Sequence, residues 1–233
     1  MSFDRTEFLN TFAVVTDCID DLMERKFNRL ESCGEPNFYH EMNCAKITLL
    51  SMLKSNLLCC TDCKLHQTRI QMVFGEGNPA ARIMFIGEGP GQHEDETGRP
   101  FVGKAGELLD KIIASMNLKR EDVYIANVVK CRPPGNRNPE NDEVLQCRKY
   151  LDLQIEIIRP MLIVALGSPA IKTLLDTDQG IVSLRGKFQK YKGIWVMPTF
   201  HPAYLLRNPD AKKDTWEDVK KIISFLKEID VQL

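Results

Sequence analysis

Four short apolar runs, at residues 82–86, 123–127, 161–166 and 194–199, are separated by stretches whose apolar residues recur at helical spacing. Strand-length runs divided by helices predict a parallel sheet covered on both faces, because parallel strands need a long crossover and a helix supplies it. The predicted helices span roughly 105–116, 139–158, 169–175 and 214–229. Each run ends in an unusual string: G-E-G-P-G, N-V-V-K-C-R-P-P, G-S-P-A and P-T-F-H-P-A-Y. Open α/β sheets bind ligands outside the carboxyl ends of their strands, so these four ends are expected to meet around one site.

Before the first run the pattern is different. Phe8, Phe12, Val15, Ile19, Leu22 and Met23 form one helical stripe, and Ile47, Leu50, Leu53 and Leu57 form a second. The string Cys33-Gly34-Glu35-Pro36-Asn37 breaks them into two helices. No catalytic pattern occurs there. Residues 1–56 are therefore read as an N-terminal helical extension packed on a main domain of 57–233.

The 233 residues, 43% of them apolar, can bury one sizeable core. A net charge of −1 is not that of a strongly basic nucleic-acid binder. The charge is uneven, however: residues 1–55 carry a net −3, and Arg185, Lys187, Lys190 and Lys192 form a local basic strip with no acid between Gly180 and Gly193. Such a strip either contacts phosphate or is a solvated face. The first ten residues have acids where a secretion signal needs bases, and no apolar run approaches the length of a membrane span. A soluble cytoplasmic protein is expected, acting as a monomer and without a membrane. Its eight cysteines are then read as metal ligands or free thiols in preference to disulfides.

Four of those cysteines are spaced suggestively, Cys60 and Cys63 as C-x2-C, then Cys131 and Cys147. Structural zinc, an iron–sulfur cluster and unrelated thiols are all compatible with this spacing. Cys59, beside Cys60, leaves the register of the first ligand open.

The turn Gly87-Glu88-Gly89-Pro90-Gly91 can bring backbone N–H groups close to a ligand. It has neither G-x-G-x-x-G spacing nor G-K-[ST], so neither a dinucleotide fold nor a P-loop is supported. Phe101, flanked by Gly and Pro on a loop, is a core residue or a stacking platform. Asn127 ends an apolar strand. Its amide could read a base edge, the carbonyl accepting from a ring N–H and the NH2 donating to a ring carbonyl, which suits uracil and not cytosine. His201 follows the fourth strand, where it is structural or part of the site. Leu205 and Leu206, both expected to be exposed beside Arg207, could wedge into a duplex while Arg207 meets phosphate.

At this point the chain resembles the family-4, iron–sulfur uracil-DNA glycosylases. The matching strings are C-T-D-C-K-L, F-G-E-G-N-P-A-A, G-E-G-P-G with D-E-T-G-R-P-F-V-G-K-A-G, N-V-V-K-C-R-P-P-G-N-R-N-P, L-G-S-P-A and H-P-A-Y-L-L-R, in order from Cys60 to Arg207. The resemblance implies a three-layer α/β fold with a four-stranded parallel sheet. It also implies a structural 4Fe–4S cluster on Cys60, Cys63, Cys131 and Cys147. Uracil-containing DNA, single- or double-stranded, would be the substrate. Phe101 would stack on uracil, Asn127 would read N3–H and O4, and His201 would contact O2. Gly87, Glu88 and Gly89 would line the pocket, Glu94 would sit near C5 against thymine's methyl, and Asn136 would position water. His201, Asn136 and Glu88 are the catalytic candidates. Ser168, Leu205, Leu206 and Arg207 are the DNA contacts.

The better-known glycosylases of this fold carry G-Q-D-P-Y, whose Asp is assigned to water; this chain has Gly89 there. Catalysis would then rest on stabilising the departing base. Two rivals remain: a noncatalytic Fe–S module of DNA metabolism, and a relative that binds uracil-DNA tightly without turnover. The latter carry a nucleophilic His after the base-reading Asn, and V-V-K-C-R-P-P-G-N-R-N-P holds none.

Overall fold

The computed structural model describes residues 36–228. The first expected helical stripe, Phe8 to Met23, lies outside the described residues. The second falls on helix α1, Pro36–Leu57, where Leu50, Leu53 and Leu57 are buried in the core as expected, but Ile47 is exposed and Leu49 takes the inward position instead.

Six strands form one sheet: β1 (Glu76–Gly77), β2 (Ile83–Gly87), β3 (Tyr124–Asn127), β4 (Leu162–Leu166), β5 (Gln189–Tyr191) and β6 (Ile194–Thr199), in the order β1-β3-β2-β4-β6-β5. The four expected strands are the four central ones, and all their pairings are parallel. At the edges the structure adds two short antiparallel strands, β1 on β3 and β5 on β6. They are two and three residues long, too short to give a sequence pattern.

Side chains alternate across the sheet as the pleat requires. Met84, Ile86, Ala126, Ile163, Ala165 and Val196 face one way, towards α1, α4 (Asn141–Ile158) and α5 (Ser168–Leu175). Ile83, Phe85, Ile125, Leu162, Val164 and Met197 face the other, towards α3 (Lys104–Ala114) and α8 (Lys212–Glu228). The result is three layers with two apolar interfaces. Three short helices complete the fold: α2 (Gln92–Thr97), α6 (Ile181–Leu184) and α7 (Pro202–Arg207).

The chain leaves β2 for β3 on one side, then returns past β2 to place β4 on the other. This reversal splays the loops after neighbouring strands apart and opens a crevice at their carboxyl ends. No helix among the described residues is long and apolar enough to cross a membrane.

The basic strip between Gly180 and Gly193 is largely engaged within the protein. Arg185 forks onto Asp218 with contacts at 2.8 and 3.2 Å, Lys187 donates to the Ser183 carbonyl at 2.9 Å, and Lys190 lies 4.6 Å from the Trp195 ring centre.

Candidate active site and cysteine cavity

A cavity of about 400 Å³ opens at the crevice. Glu88 and Gly89 enter it from the turn after β2, Glu94 from α2 and Phe101 from the loop before α3. Asn127 closes β3 at its floor, Asn136 stands on the following loop, and His201 and Arg207 flank α7. Eight residues singled out in the sequence thus share one space.

Gly87 shows how tight the arrangement is. A Cβ there would sit 2.4 Å from Phe101 Cζ and 2.5 Å from Asn127 Oδ1. Only glycine lets the ring and the amide approach each other over the end of β2. Phe101 and His201 face each other with ring centroids 5.5 Å apart, tilted by 31°.

Asn127 is 2% exposed, and its Oδ1 has no hydrogen-bond partner. Among the described residues only Asn43 Oδ1 is in the same condition. A buried acceptor left unmet costs roughly 1–3 kcal/mol, so it is retained where something arrives to satisfy it. A planar ring with an N–H at its edge would do so.

His201 caps α7: its Nδ1 accepts from the Ala203 N–H at 3.1 Å. Nε2 therefore carries the proton of the neutral ring. Burial first, and the Arg207 charge second, push its pKa down to about 4, against some help from Glu94. The imidazole is an uncharged donor.

Glu94 is a brace as well as a wall. Its Oε1 accepts from the N–H groups of Val102 and Gly103 at 2.8 and 3.0 Å, and Oε2 accepts from Gly91 at 3.1 Å. The glycine turn and the Phe101 loop are thereby tied together. The Gly91 N–H is engaged in this brace. Glu88, by contrast, has its carboxyl pushed up by burial.

The expected wedge is only half present. Leu205 is 1% exposed and belongs to the interior face of α7, whereas Leu206 is 44% exposed. Adjacent residues on a helix point about 100° apart, so one of the two leucines had to turn inward. Ser168 opens α5 outside the cavity; its neighbour Gly167, at φ +84°, makes room for the His201 side chain.

A second, smaller cavity is lined by Cys60, Cys63, Cys131 and Cys147, together with Arg69, Lys130 and Tyr150. Cys59 is exposed and is not part of its wall. Arg69 Nη1 lies 3.1 Å from Cys131 Sγ, and the Lys130 N–H lies 3.3 Å from Cys147 Sγ. Burial pushes the Cys131 and Cys63 thiols up, and that of Cys147 up to about 12. Four thiols around one space, with donors aimed at the sulfurs, fit a cationic centre that would reverse this burden and bind them as thiolates. Among the described residues no three His, Cys, Asp or Glu side chains are arranged to hold a single ion.

The two cavities are linked. Lys130, 1% exposed, donates through Nζ to the Asn127 carbonyl at 2.7 Å and to Gln154 Oε1 at 2.5 Å. Burial lowers its pKa to about 8, while Cys147 and Cys131 act in the opposite sense. Asp95, equally buried, accepts from the N–H groups of Ile70 and Gln71 at 2.9 and 3.3 Å, next to Arg69.

Residues 74–220 match the model of the uracil DNA glycosylase superfamily. A type-4 uracil-DNA glycosylase of Thermotoga maritima is 48% identical over 77% of this chain and 95% of that protein. One from Sulfurisphaera tokodaii is 48% identical over 74% of the chain and 83% of its own length. A type-5 uracil-DNA glycosylase of Pyrobaculum aerophilum is 32% identical over 63% of the chain and 71% of its length. The chain belongs to the type-4 uracil-DNA glycosylase family.

Within this type-4 frame, several cavity residues escaped the sequence. Pro133, Arg137, Asn138 and Tyr204 also line it. Arg137 is fixed by a two-point contact with Glu143, at 2.7 and 2.9 Å. Tyr204 stacks on Phe200 at 4.9 Å. The strings N-R-N-P and H-P-A-Y contain all but Pro133, yet no spacing rule marks them as lining residues.

Proposed function

We propose that this protein is a DNA repair enzyme that flips uracil out of DNA and hydrolyses its N-glycosidic bond, leaving an abasic site. The observation that carries this reading is the buried, unpartnered Asn127 Oδ1 in the same cavity as the Phe101 ring and the His201 imidazole. Uracil offers Asn127 an N–H, and cytosine offers only a lone pair at that position. Phe101 would stack on the extruded base, and Glu94 would form the wall near C5.

As the C1′–N1 bond stretches, the sugar becomes cationic and uracil takes up negative charge on O2. The Nε2–H of neutral His201 donates to that oxygen, and in a desolvated cavity such a preorganised donor acts strongly. Water then forms the new bond to C1′. Its proton passes to solvent or to the departing uracil. Asn136, held by Arg132 Nε at 2.8 Å, would position that water. Flipping costs a few kcal/mol, least for a mispaired or unpaired base, so uracil opposite guanine or in single strands should react faster than uracil opposite adenine. Leu206 and Arg207 would meet the DNA at the cavity mouth.

Cys60, Cys63, Cys131 and Cys147 would hold a 4Fe–4S cluster, which supplies bracing for the surrounding loops and no bond-making chemistry. Four thiols spread around a space suit a polynuclear cluster better than a single zinc, which needs every sulfur about 2.3 Å from one centre. A boundary between an N-terminal extension of 1–56 and a glycosylase domain of 57–233 is proposed; within its described part, the buried leucines of α1 support an extension packed on the domain. The protein is proposed to work as a cytoplasmic monomer.

The test is incubation of purified protein with a uracil-containing oligonucleotide, followed by alkaline cleavage at abasic sites. Strand scission at uracil alone is expected, from protein whose visible spectrum and iron content report the cluster. Brown protein that releases no uracil would establish the noncatalytic reading instead.

A further inference from the structure

Phe101 carries its ring on unusual backbone. Its φ is +51°, a left-handed conformation that a bulky residue adopts only when its surroundings impose it. Two groups impose it. A Cβ on Gly106 would lie 1.9 Å from the Phe101 carbonyl oxygen, so the first turn of α3 presses directly on that carbonyl. From another direction the Arg120 guanidinium reaches in. Its Nη1 donates to the Phe101 carbonyl at 3.1 Å, and its Nη2 donates to the Pro100 carbonyl.

Arg120 is itself aimed. Nε donates to Glu76 Oε1 at 2.5 Å and Nη1 reaches Asp110 Oδ1 at 2.9 Å, while Arg99 completes the pair around Glu76 at 2.8 and 3.1 Å. Glu76 sits on β1, paired opposite Ile125 of β3, two residues before Asn127. The clamp on the platform and the amide at the cavity floor thus share one piece of sheet. Arg120 does not line the cavity.

We propose that Arg120 is a positioning residue for base binding: oriented by Glu76, its fork holds the carbonyls of Pro100 and Phe101 and sets the Phe101 ring over the base. The inference rests on the reading of Phe101 as a stacking platform. A planar, charge-assisted fork suits two adjacent carbonyls, and a lysine ammonium cannot reproduce it.

The test is a double-mutant cycle between Arg120→Met and Phe101→Leu, with Arg120→Lys alongside. Inhibition by free uracil, KM and kcat are measured at a temperature where each variant is folded by circular dichroism. Arg120→Met should weaken uracil inhibition about ten-fold, the size of losing base–aromatic stacking. Arg120→Lys should fall between it and the unaltered protein. In the Phe101→Leu background the same Arg120→Met change should have less than about a two-fold effect, because contacts acting through one group are non-additive. Equal factors in both backgrounds, or unchanged uracil inhibition in Arg120→Met, would overturn the proposal; if Arg120→Met does not fold, unchanged inhibition in Arg120→Lys does the same. Absence of uracil release by the unaltered protein would instead remove the proposed function itself.

Discussion

His201 Nδ1 accepts from the Ala203 N–H at 3.1 Å, which leaves Nε2 as the protonated nitrogen of a ring that lines the cavity. With its pKa lowered from 6.5 to about 4, chiefly by burial, this ring stays neutral through the physiological range. Uracil release should therefore show no His201 limb near pH 6.5; a change should appear only near 4, where a proton on Nδ1 deprives the Ala203 N–H of its acceptor while Nε2 keeps its hydrogen. Stability follows the same asymmetry. The unfolded chain takes a proton on this His at 6.5 and the folded chain only near 4, so stability falls as pH drops through that window. A ring titrating at its ordinary value by NMR would contradict both expectations.

Replacing His201 by Ala would remove the donor proposed for O2. Single-turnover uracil release should slow by about 10²–10³, the typical loss for one such donor, while binding to uracil-containing DNA persists. Turnover within a few-fold of the unaltered protein would exclude this role.

Asn127→Leu removes an unmet buried acceptor while keeping the side chain's shape. Melting temperature should hold or rise, because the roughly 1–3 kcal/mol penalty of the orphan oxygen disappears. Uracil release should collapse in the same variant. A large loss of stability would mean that Asn127 is held by the fold, contrary to its unpartnered Oδ1.

Adjacent leucines of α7 should give opposite phenotypes. Leu205→Ala, in the interior, should destabilise by about 2–5 kcal/mol in denaturant melts. Leu206→Ala should leave stability nearly untouched and slow excision from duplex more than from single strands, since a wedge matters only where bases are stacked and paired. Equal slowing on both substrates would dismiss the wedge.

Asp95→Ala strips the partner from two backbone N–H groups beside Arg69, a cost of roughly 1–3 kcal/mol. The iron of the proposed cluster should then be lost faster to a chelator, and uracil inhibition should weaken in parallel. Weakened inhibition with iron retained normally would show that the two cavities are not joined through this carboxylate.

The sequence carried the parallel core because β2, β3, β4 and β6 are apolar on both faces and read as continuous runs. The meeting of Phe101, Asn127 and His201 was legible for a related reason, since each stands just beyond a strand end or on a glycine-rich turn. Strand β5 was hidden in a lysine-rich stretch whose charge suggested phosphate contact. Leu205 is inward and Leu206 outward, a difference the sequence does not carry because neighbouring leucines look alike until a helix assigns their faces. The buried and half-buried polar pairs were invisible on other grounds. Glu76 is 44 residues from Arg120, and Lys130 is 24 from Gln154, so only the folded chain identifies them as partners.

Glu94 holds three amides from two separate loops with one carboxylate, and this limits how base choice can be altered. Shortening that side chain to admit a methylated pyrimidine would slacken the frame around the ring before it opened any usable space. A thymine-accepting variant is better sought by trimming a wall residue whose removal leaves the Gly91 and Phe101 segments fastened together.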